Sequence, residues 1–382
     1  MRKSTKPGSS GATLAFPSTA IVGSIGDLAR TFARGTEVPE EFYFASGLTL
    51  LGSACATNLT LNTGNQVEPR LYTVLLGASY EAKKSTAEKR TVEFFEKLWG
   101  TGSGPHVVWG AGSAEGLARE LSTNQNLVLA YDELCTFVDK SKVQGSVLLP
   151  MMASLFEGHN WDNPTKDATK SVSVRDARVS LIGCCTTDTY SRMWTPEAIA
   201  IGFPNRLFVV GADRIRKVAW PEAPDPAELK AIADRITGQM KKLPLKLDIG
   251  PAAKIRWTEW YEDLPSSEHT RRLDTIGFRL LALIALTTDK DHVDLETVET
   301  VVSMLDYELE IRRITDPIDA DNAIAKLEEK VRRALSLAPL PNRELQRRVH
   351  ANRCGLWAYN TALQNLTRDG AVVPVGGMYR LK

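Results

Sequence analysis

The chain has 382 residues, enough for two or three domains with substantial apolar cores. Lysine plus arginine (47) nearly balances aspartate plus glutamate (46), which excludes a global basic field and leaves any nucleic-acid contact to local patches. The five cysteines are odd in number and lack CxxC spacing, which argues against a disulfide framework or a zinc site and for a reducing, cytoplasmic location.

No run approaches the ~18 apolar residues of a membrane span. The basic start, residues 1–19, lacks the apolar stretch of a secretory signal and is expected to be a disordered tail. A helical segment is expected over 20–66. Apolar residues recur at helical spacing over 24–34 and 39–57, with Pro39 in the first helical position and Glu40 and Glu41 in the first turn. Residues 59–61 read as a short strand leading into the next.

Residues 71–76 form an apolar run that reads as a buried strand, ended by Gly77. After Thr86, Val92, Phe95 and Leu98 fall on one helix face. Strand, loop, Lys84-Ser85-Thr86 and helix is the layout of a phosphate-binding loop. Amides at a helix N-terminus hold the anion there, a lysine reaches the terminal phosphates and a hydroxyl binds Mg²⁺. The spacing departs from Gly, four residues, Gly-Lys: it is one residue longer, and Lys83 stands in the second glycine's place. Gly77 and Lys83 then belong to the loop, Lys84 is the phosphate lysine and Ser85 the metal ligand, with Thr86 as the alternative. The same segment also reads as a strand, a polar turn and an amphipathic helix with no ligand.

Residues 106–109 read as a short strand, and Ser113 with Glu115 opens a helix through Leu121. Residues 126–133 are an apolar strand ending in Asp132 and Glu133, expected on the strand next to the phosphate loop. Asp132 would hold Mg²⁺ through its water shell, and Glu133 would polarise the attacking water. A pair of solvated acids is the alternative. A polar loop (158–170) and an alternating strand (171–174) precede a buried strand (178–185) that ends at Thr186. Residues 203–206 lead into the strand 207–211. Strands alternating with helices imply a mostly parallel sheet covered on both faces, with sites at the carboxyl ends of its strands.

Past the proline-rich linker at 220–226 the pattern turns helical over 227–242, 251–264, 271–287 and 295–314. The last stretch reads as helices 323–337, 343–352 and 356–368 followed by a hairpin that turns at Gly376-Gly377, which is the winged-helix plan. Its third helix carries Trp357, Tyr359, Asn360, Gln364 and Arg368, residue types able to contact DNA. A protein-contact module is the alternative.

In this order the motifs resemble an AAA+ P-loop ATPase, specifically the MCM-like replicative helicases of phage, plasmid and integrated mobile elements. The resemblance covers roughly residues 40–382. It implies an α/β P-loop NTPase core of three layers (67–222), an α-helical lid (223–318) and a C-terminal winged-helix domain (319–382). The segment 170–186 resembles the family's hairpin, strand and polar sensor, with Thr186 where the family usually has Asn. The segment 203–208 resembles its arginine-finger segment, so Arg206 from a neighbouring subunit would stabilise transition-state charge. Arg271, Arg272 or Arg279 would supply a lid arginine. The family implies a homo-oligomeric ring, most often a hexamer, that couples hydrolysis of ATP with Mg²⁺ to movement on single- or double-stranded DNA. Only the motor part of such proteins is represented, so a primase or other replication proteins are expected partners, and no membrane is. Lys166, Lys170 and Arg175 would contact DNA phosphates in the channel, or form a solvated edge that blocks sheet pairing. A non-translocating initiator, loader or nucleotide-gated scaffold is the alternative function.

Overall fold

The computed structural model describes residues 14–64, 67–78, 82–100, 104–164, 171–213, 216–316 and 323–382. Lys166 and Lys170 therefore lie outside the described residues. The chain divides into two compact units, one running from Ala15 to Arg312 and the other containing Arg313 to Lys382. The expected amino-terminal segment and core fall in the first, as does the expected lid up to Arg312.

Two helices open that unit: α1 (Gly23–Arg34) and α2 (Glu40–Ala54). Pro39 caps α2 from outside the helix rather than opening it as the first helical residue. Beyond its first turn α2 is apolar on every side and is buried against α1, α3 and the central sheet, as an all-round apolar helix must be. The strand β1 (Leu59–Leu61) follows, then β2 (Tyr72–Leu76), α3 (Lys84–Trp99), β3 (His106–Trp109), α4 (Ala114–Thr123) and β4 (Asn126–Tyr131). Two short helices, α5 (Cys135–Ser141) and α6 (Leu148–Leu155), lead to an antiparallel pair, β5 (Trp161–Asn163) and β6 (Val172–Val174). The strand β7 (Arg178–Cys185), helices α7 (Thr187–Met193) and α8 (Pro196–Ala200), and strand β8 (Leu207–Gly211) complete this region.

The central sheet has five strands in the order β3-β4-β7-β2-β8, all parallel. Apart from the exposed edge strand β3, its strands are short apolar runs buried on both faces, as a parallel sheet between helical layers requires. Along β2 the side chains alternate. Thr73 meets Thr49 of α2 at 2.7 Å, and Tyr72 on the other face stacks against Phe156 at 5.1 Å. The expected adjacency fails: β7 pairs with both β2 and β4 and separates them.

The region beyond residue 223 is not purely helical. Between α9 (Pro226–Met240) and α10 (Pro251–Glu262) runs β9 (Leu245–Ile249), and between α11 (Leu273–Thr287) and α12 (Leu295–Thr315) runs β10 (His292–Val293). β9 pairs with β1 on one side and β10 on the other, so β1 belongs to this small sheet and not to the central one. α12 covers the outer edge of β8: Val209 N donates to Glu308 Oε2 at 2.9 Å and Gly211 N to the Tyr307 hydroxyl at 2.8 Å. Occupying these edge amides removes a template for unwanted strand pairing. Glu308 also accepts from Arg312 at 2.9 Å, and both side chains are fully buried.

The second unit holds α13 (Ala323–Leu337), β11 (Leu340–Pro341), α14 (Asn342–Arg348), α15 (Ala351–Cys354), α16 (Leu356–Arg368), β12 (Val372–Val375) and β13 (Met378–Leu381). His350, in the left-handed region at φ 54°, breaks the expected second helix into α14 and α15. The hairpin gains β11 and becomes a three-stranded antiparallel sheet, β11-β13-β12. Leu327, Val331, Leu345, Leu363 and Leu366 form its own core.

Candidate functional site

Gly77 follows β2 at a point with no room for a side chain. A Cβ there would meet Ala82 Cβ at 2.5 Å and the Ala212 carbonyl oxygen at 2.7 Å. Residues 79–81, the middle of the expected phosphate loop, lie outside the described residues. Lys83 takes a left-handed conformation (φ 52°, ψ 33°) just before α3. That geometry favours glycine, and it occurs at the position where Lys83 replaces the motif's second glycine. Lys84 opens α3 and turns its ammonium back on the loop, donating to the Gly77 carbonyl at 2.9 Å and to that of Ala78 at 3.4 Å. Burial lowers the Lys84 pKa from its ordinary value, while Cys184, Glu133 and Cys185 oppose the shift. The Glu133 charge is thus felt at Lys84. Ser85 and Thr86 are half-exposed in the first turn of α3, where helix amides are unsatisfied and anions are favoured.

Asp132 and Glu133 are exposed just past the end of β4. Their turn is pinned to β7, because Leu134 N donates to the Cys184 carbonyl at 2.8 Å. Gly183 makes this possible: a Cβ there would sit 2.8 Å from Leu134 Cδ1. α3 packs on β7 and so bridges the intervening strand. From it, Lys89 reaches Asp132 with an Nζ–Oδ2 distance of 2.7 Å. Glu88, one residue earlier, is fully buried and accepts from the Cys184 thiol at 3.4 Å. Burial pushes its carboxyl up to about 8, and the Asp132 charge pushes the same way. The phosphate-loop lysine and both acids are thus gathered at one end of the sheet without adjacent strands.

Beside the acids a cleft of about 370 Å³ opens over the ends of β3 and β4, lined by Trp109, Gly110, Tyr131, Asp132, Glu133 and Lys140, among others. Tyr131 shapes its wall by accepting from Ala111 N at 2.8 Å and donating to Ala111 O at 3.2 Å. Trp109 is half-exposed, and the Lys89 ammonium lies 5.9 Å from its ring centre. Glu88, Lys89 and Trp109 join this end of the sheet beyond the residues expected from sequence. Two signals were present: Glu88 lies one helical turn from Lys84, and Trp109 ends a strand as Asp132 follows one.

The remaining expected residues are placed differently. Thr186 is the N-cap of α7: its Oγ1 accepts from Thr189 N at 3.2 Å and donates to Thr189 Oγ1 at 2.8 Å, so its hydroxyl serves the local turn. Arg206 stands at the amino end of β8, opposite its own chain's site, and is only 8% exposed. It donates to the carbonyls of Ile201 (2.8 Å) and Gly202 (2.9 Å). To serve a neighbouring pocket as the expected finger, Arg206 would have to give up those bonds. Arg279 is buried against the Phe156 ring and donates to the carbonyls of Arg70 and Phe156, and Arg272 pairs with Glu157. Arg70 precedes β2, so Arg279 too lies at the amino end of the sheet. Arg175, on the β5–β6 pair, is exposed and bonded to Asp162 at 2.8 Å.

In the second unit Trp357 is 73% exposed, and Arg368 is exposed at the other end of α16. Asn360 and Gln364 lie exposed between them on the same helix face. Tyr359 is corrected: it is fully buried, with its hydroxyl donating to Asn342 Oδ1 at 2.6 Å, and cannot face DNA.

Comparison of the chain with protein-family models and with curated proteins finds no match. Among the described residues no group of three or more His, Cys, Asp or Glu side chains could hold a metal ion. A Mg²⁺ held with a nucleotide does not need one. It keeps several waters and takes one or two carboxylates plus phosphate oxygens, and the hydroxyl of Ser85 or Thr86 with the carboxylate of Asp132 is a donor set of that hard-oxygen type. Among the described residues no helix is long and apolar enough to cross a membrane.

Proposed function

We propose that the chain is a P-loop ATPase of the AAA+ type, working as a ring-shaped helicase or translocase on DNA in the replication of a mobile genetic element. One observation carries the nucleotide-binding part. Lys84 at the head of α3 and the acids after β4 lie at one end of the sheet, with Lys89 bonded to Asp132 at 2.7 Å and the Glu133 charge reaching Lys84. The left-handed Lys83 and the crowded Gly77 support the same loop.

In this reading Lys84 leaves the Gly77 and Ala78 carbonyls for the terminal phosphates, and the first-turn amides of α3 cradle them. Ser85 and Asp132 hold Mg²⁺, which neutralises phosphate charge. Glu133 accepts a proton from the attacking water or orients it. The transition-state cation from a neighbour is left unassigned, since Arg206 is engaged in its own chain. DNA contact is placed on the exposed face of α16, Trp357–Asn360–Gln364–Arg368, with Arg175 as a second contact.

The test is ATP hydrolysis by the full chain with and without single-stranded DNA. DNA should stimulate turnover, and Lys84→Ala and Glu133→Gln should each abolish it. Turnover that survives both substitutions sinks the assignment. The buried state of Arg206 favours a second reading, a non-translocating initiator, loader or scaffold that binds nucleotide but hydrolyses it slowly. Under it ATP changes the oligomeric state while strand displacement stays flat.

A further inference from the structure

The helix that carries the phosphate-loop lysine carries a second lysine aimed at the same site. Lys89 lies five residues beyond Lys84 on α3, and its ammonium is bonded to Asp132 Oδ2 at 2.7 Å. Asp132 has no other cationic partner among the described residues. A divalent cation held through Asp132 needs the same carboxylate lone pairs, directly or through its waters. Two cations at one carboxylate repel, though solvent screens the repulsion because both partners are half-exposed. Arrival of the metal therefore favours departure of the ammonium. The structure also gives it somewhere to go. Its nitrogen is already 5.9 Å from the centre of the half-exposed Trp109 ring, inside cation–π range, and the flexible lysine stem spans the short move.

We infer that Lys89 competes with the nucleotide-borne divalent cation for Asp132, that the displaced ammonium settles on the face of Trp109, and that this exchange sets the Mg²⁺ concentration the site requires. The inference rests on the nucleotide-site reading above and adds to it a built-in threshold: a cation that screens the acid until nucleotide and metal arrive together. Both partners are half-exposed, so the effect is modest and sensitive to salt.

The experiment titrates Mg²⁺ into the full chain with a fluorescent, non-hydrolysable ATP analogue held below saturation, following anisotropy. Lys89→Met should lower the half-saturating Mg²⁺ by about two- to five-fold at low salt, a gap that narrows as ionic strength rises. Lys89→Arg keeps the charge and should stay near the wild-type value. Lys97→Met, which removes a lysine two turns further along the same helix, should also leave the value in place. Intrinsic tryptophan emission should change when Mg²⁺ joins the nucleotide in the wild type, and the change should shrink in Trp109→Phe. If nucleotide binding depends on Lys84 but Lys89→Met leaves the Mg²⁺ requirement unchanged or raises it, the competition is refuted while the nucleotide site stands. If the wild type binds no analogue at any Mg²⁺, or Lys84→Ala binds as well as wild type, the site reading fails and the competition with it.

Discussion

Replacing Lys84 with methionine tests the site twice, because its ammonium has one job without nucleotide and another with it. Without nucleotide it closes the loop by donating to the Gly77 and Ala78 carbonyls at 2.9 and 3.4 Å. A charged donor to carbonyls is worth somewhat more than a neutral one, but this ammonium is only half-buried, so its loss should cost about 1 kcal/mol. Under the proposed function the same group pairs with phosphate once nucleotide binds. A ligand at a hundred times its Kd stabilises the folded state by about 2.7 kcal/mol, which for a unit of this size is a rise in melting temperature of roughly 5 °C. Thermal unfolding with and without MgATP reads both terms. The wild type should gain those degrees, whereas Lys84→Met should melt slightly lower alone and gain almost nothing from MgATP. An equal MgATP shift in both proteins would refute the argument, because it would place the phosphates away from the head of α3.

Three further outcomes are expected. Arg312→Met removes the ionic partner of the buried Glu308 carboxylate; breaking a buried pair in this way should cost about 3–5 kcal/mol, read as a lower denaturant midpoint. Burial raises the Asp294 pKa, but hydrogen bonds from Lys290 and Thr297 outweigh it and bring the carboxyl down to about 2. Its stabilisation is therefore present above the ordinary value and lost as pH falls through 2. Asp294→Asn should be less stable than wild type by about 1 kcal/mol or less at pH 7, given the group's partial exposure, and the gap should close between about pH 4 and 2 in acid unfolding. In the second unit Trp357→Ala should weaken single-stranded DNA binding by about 1–3 kcal/mol in a fluorescence titration. Tyr359→Phe should leave DNA affinity alone and cost about 1 kcal/mol of stability through the lost bond to Asn342.

The parts of the site legible in the sequence were those written in local runs. The strand ending at Gly77, the helix beginning at Lys84 and the strand leading to Asp132 are apolar segments bounded by turn residues, and all three stand where the sequence put them. Strand order is a different kind of information. Nothing in residues 71–76 or 126–131 says that Leu181 to Gly183 will pair with both, so strand adjacency is not legible in the local sequence. β9 was missed because Leu-Lys-Leu-Asp-Ile alternates for only five residues inside a long helical stretch. Tyr359 was misread although the signal was present. It shares its helix face with Ala362, Leu363 and Leu366, all buried, while Trp357, Asn360 and Gln364 lie on the other. Residue type was weighed there where helix phase should have decided. For Arg206, likewise, a motif position cannot reveal that the carbonyls of Ile201 and Gly202 accept from its Nη1.

The two ends of the central sheet are built to opposite plans, and this bears on where change can occur. At the amino end Arg70 is buried and bonded to Glu68 at 2.7 Å and to the Leu155 carbonyl at 2.8 Å; Arg178 joins Glu68 at 3.0 Å, and Arg279 closes over the Arg70 and Phe156 carbonyls. Removing any one of these arginines leaves buried acceptors unmet, so this end resists rearrangement. At the carboxyl end the hydrogen bonds of Lys84 to the loop carbonyls and the Lys89–Asp132 ion pair are half-exposed, so each can be exchanged for a stronger partner at lower cost. Under the proposed function a nucleotide with its metal would act where rearrangement is cheap, on a sheet whose far end is locked. Because Leu134 N ties the turn after the acids to Cys184 of β7, a displacement of Asp132 and Glu133 is passed to the strand that runs from this site to the locked end.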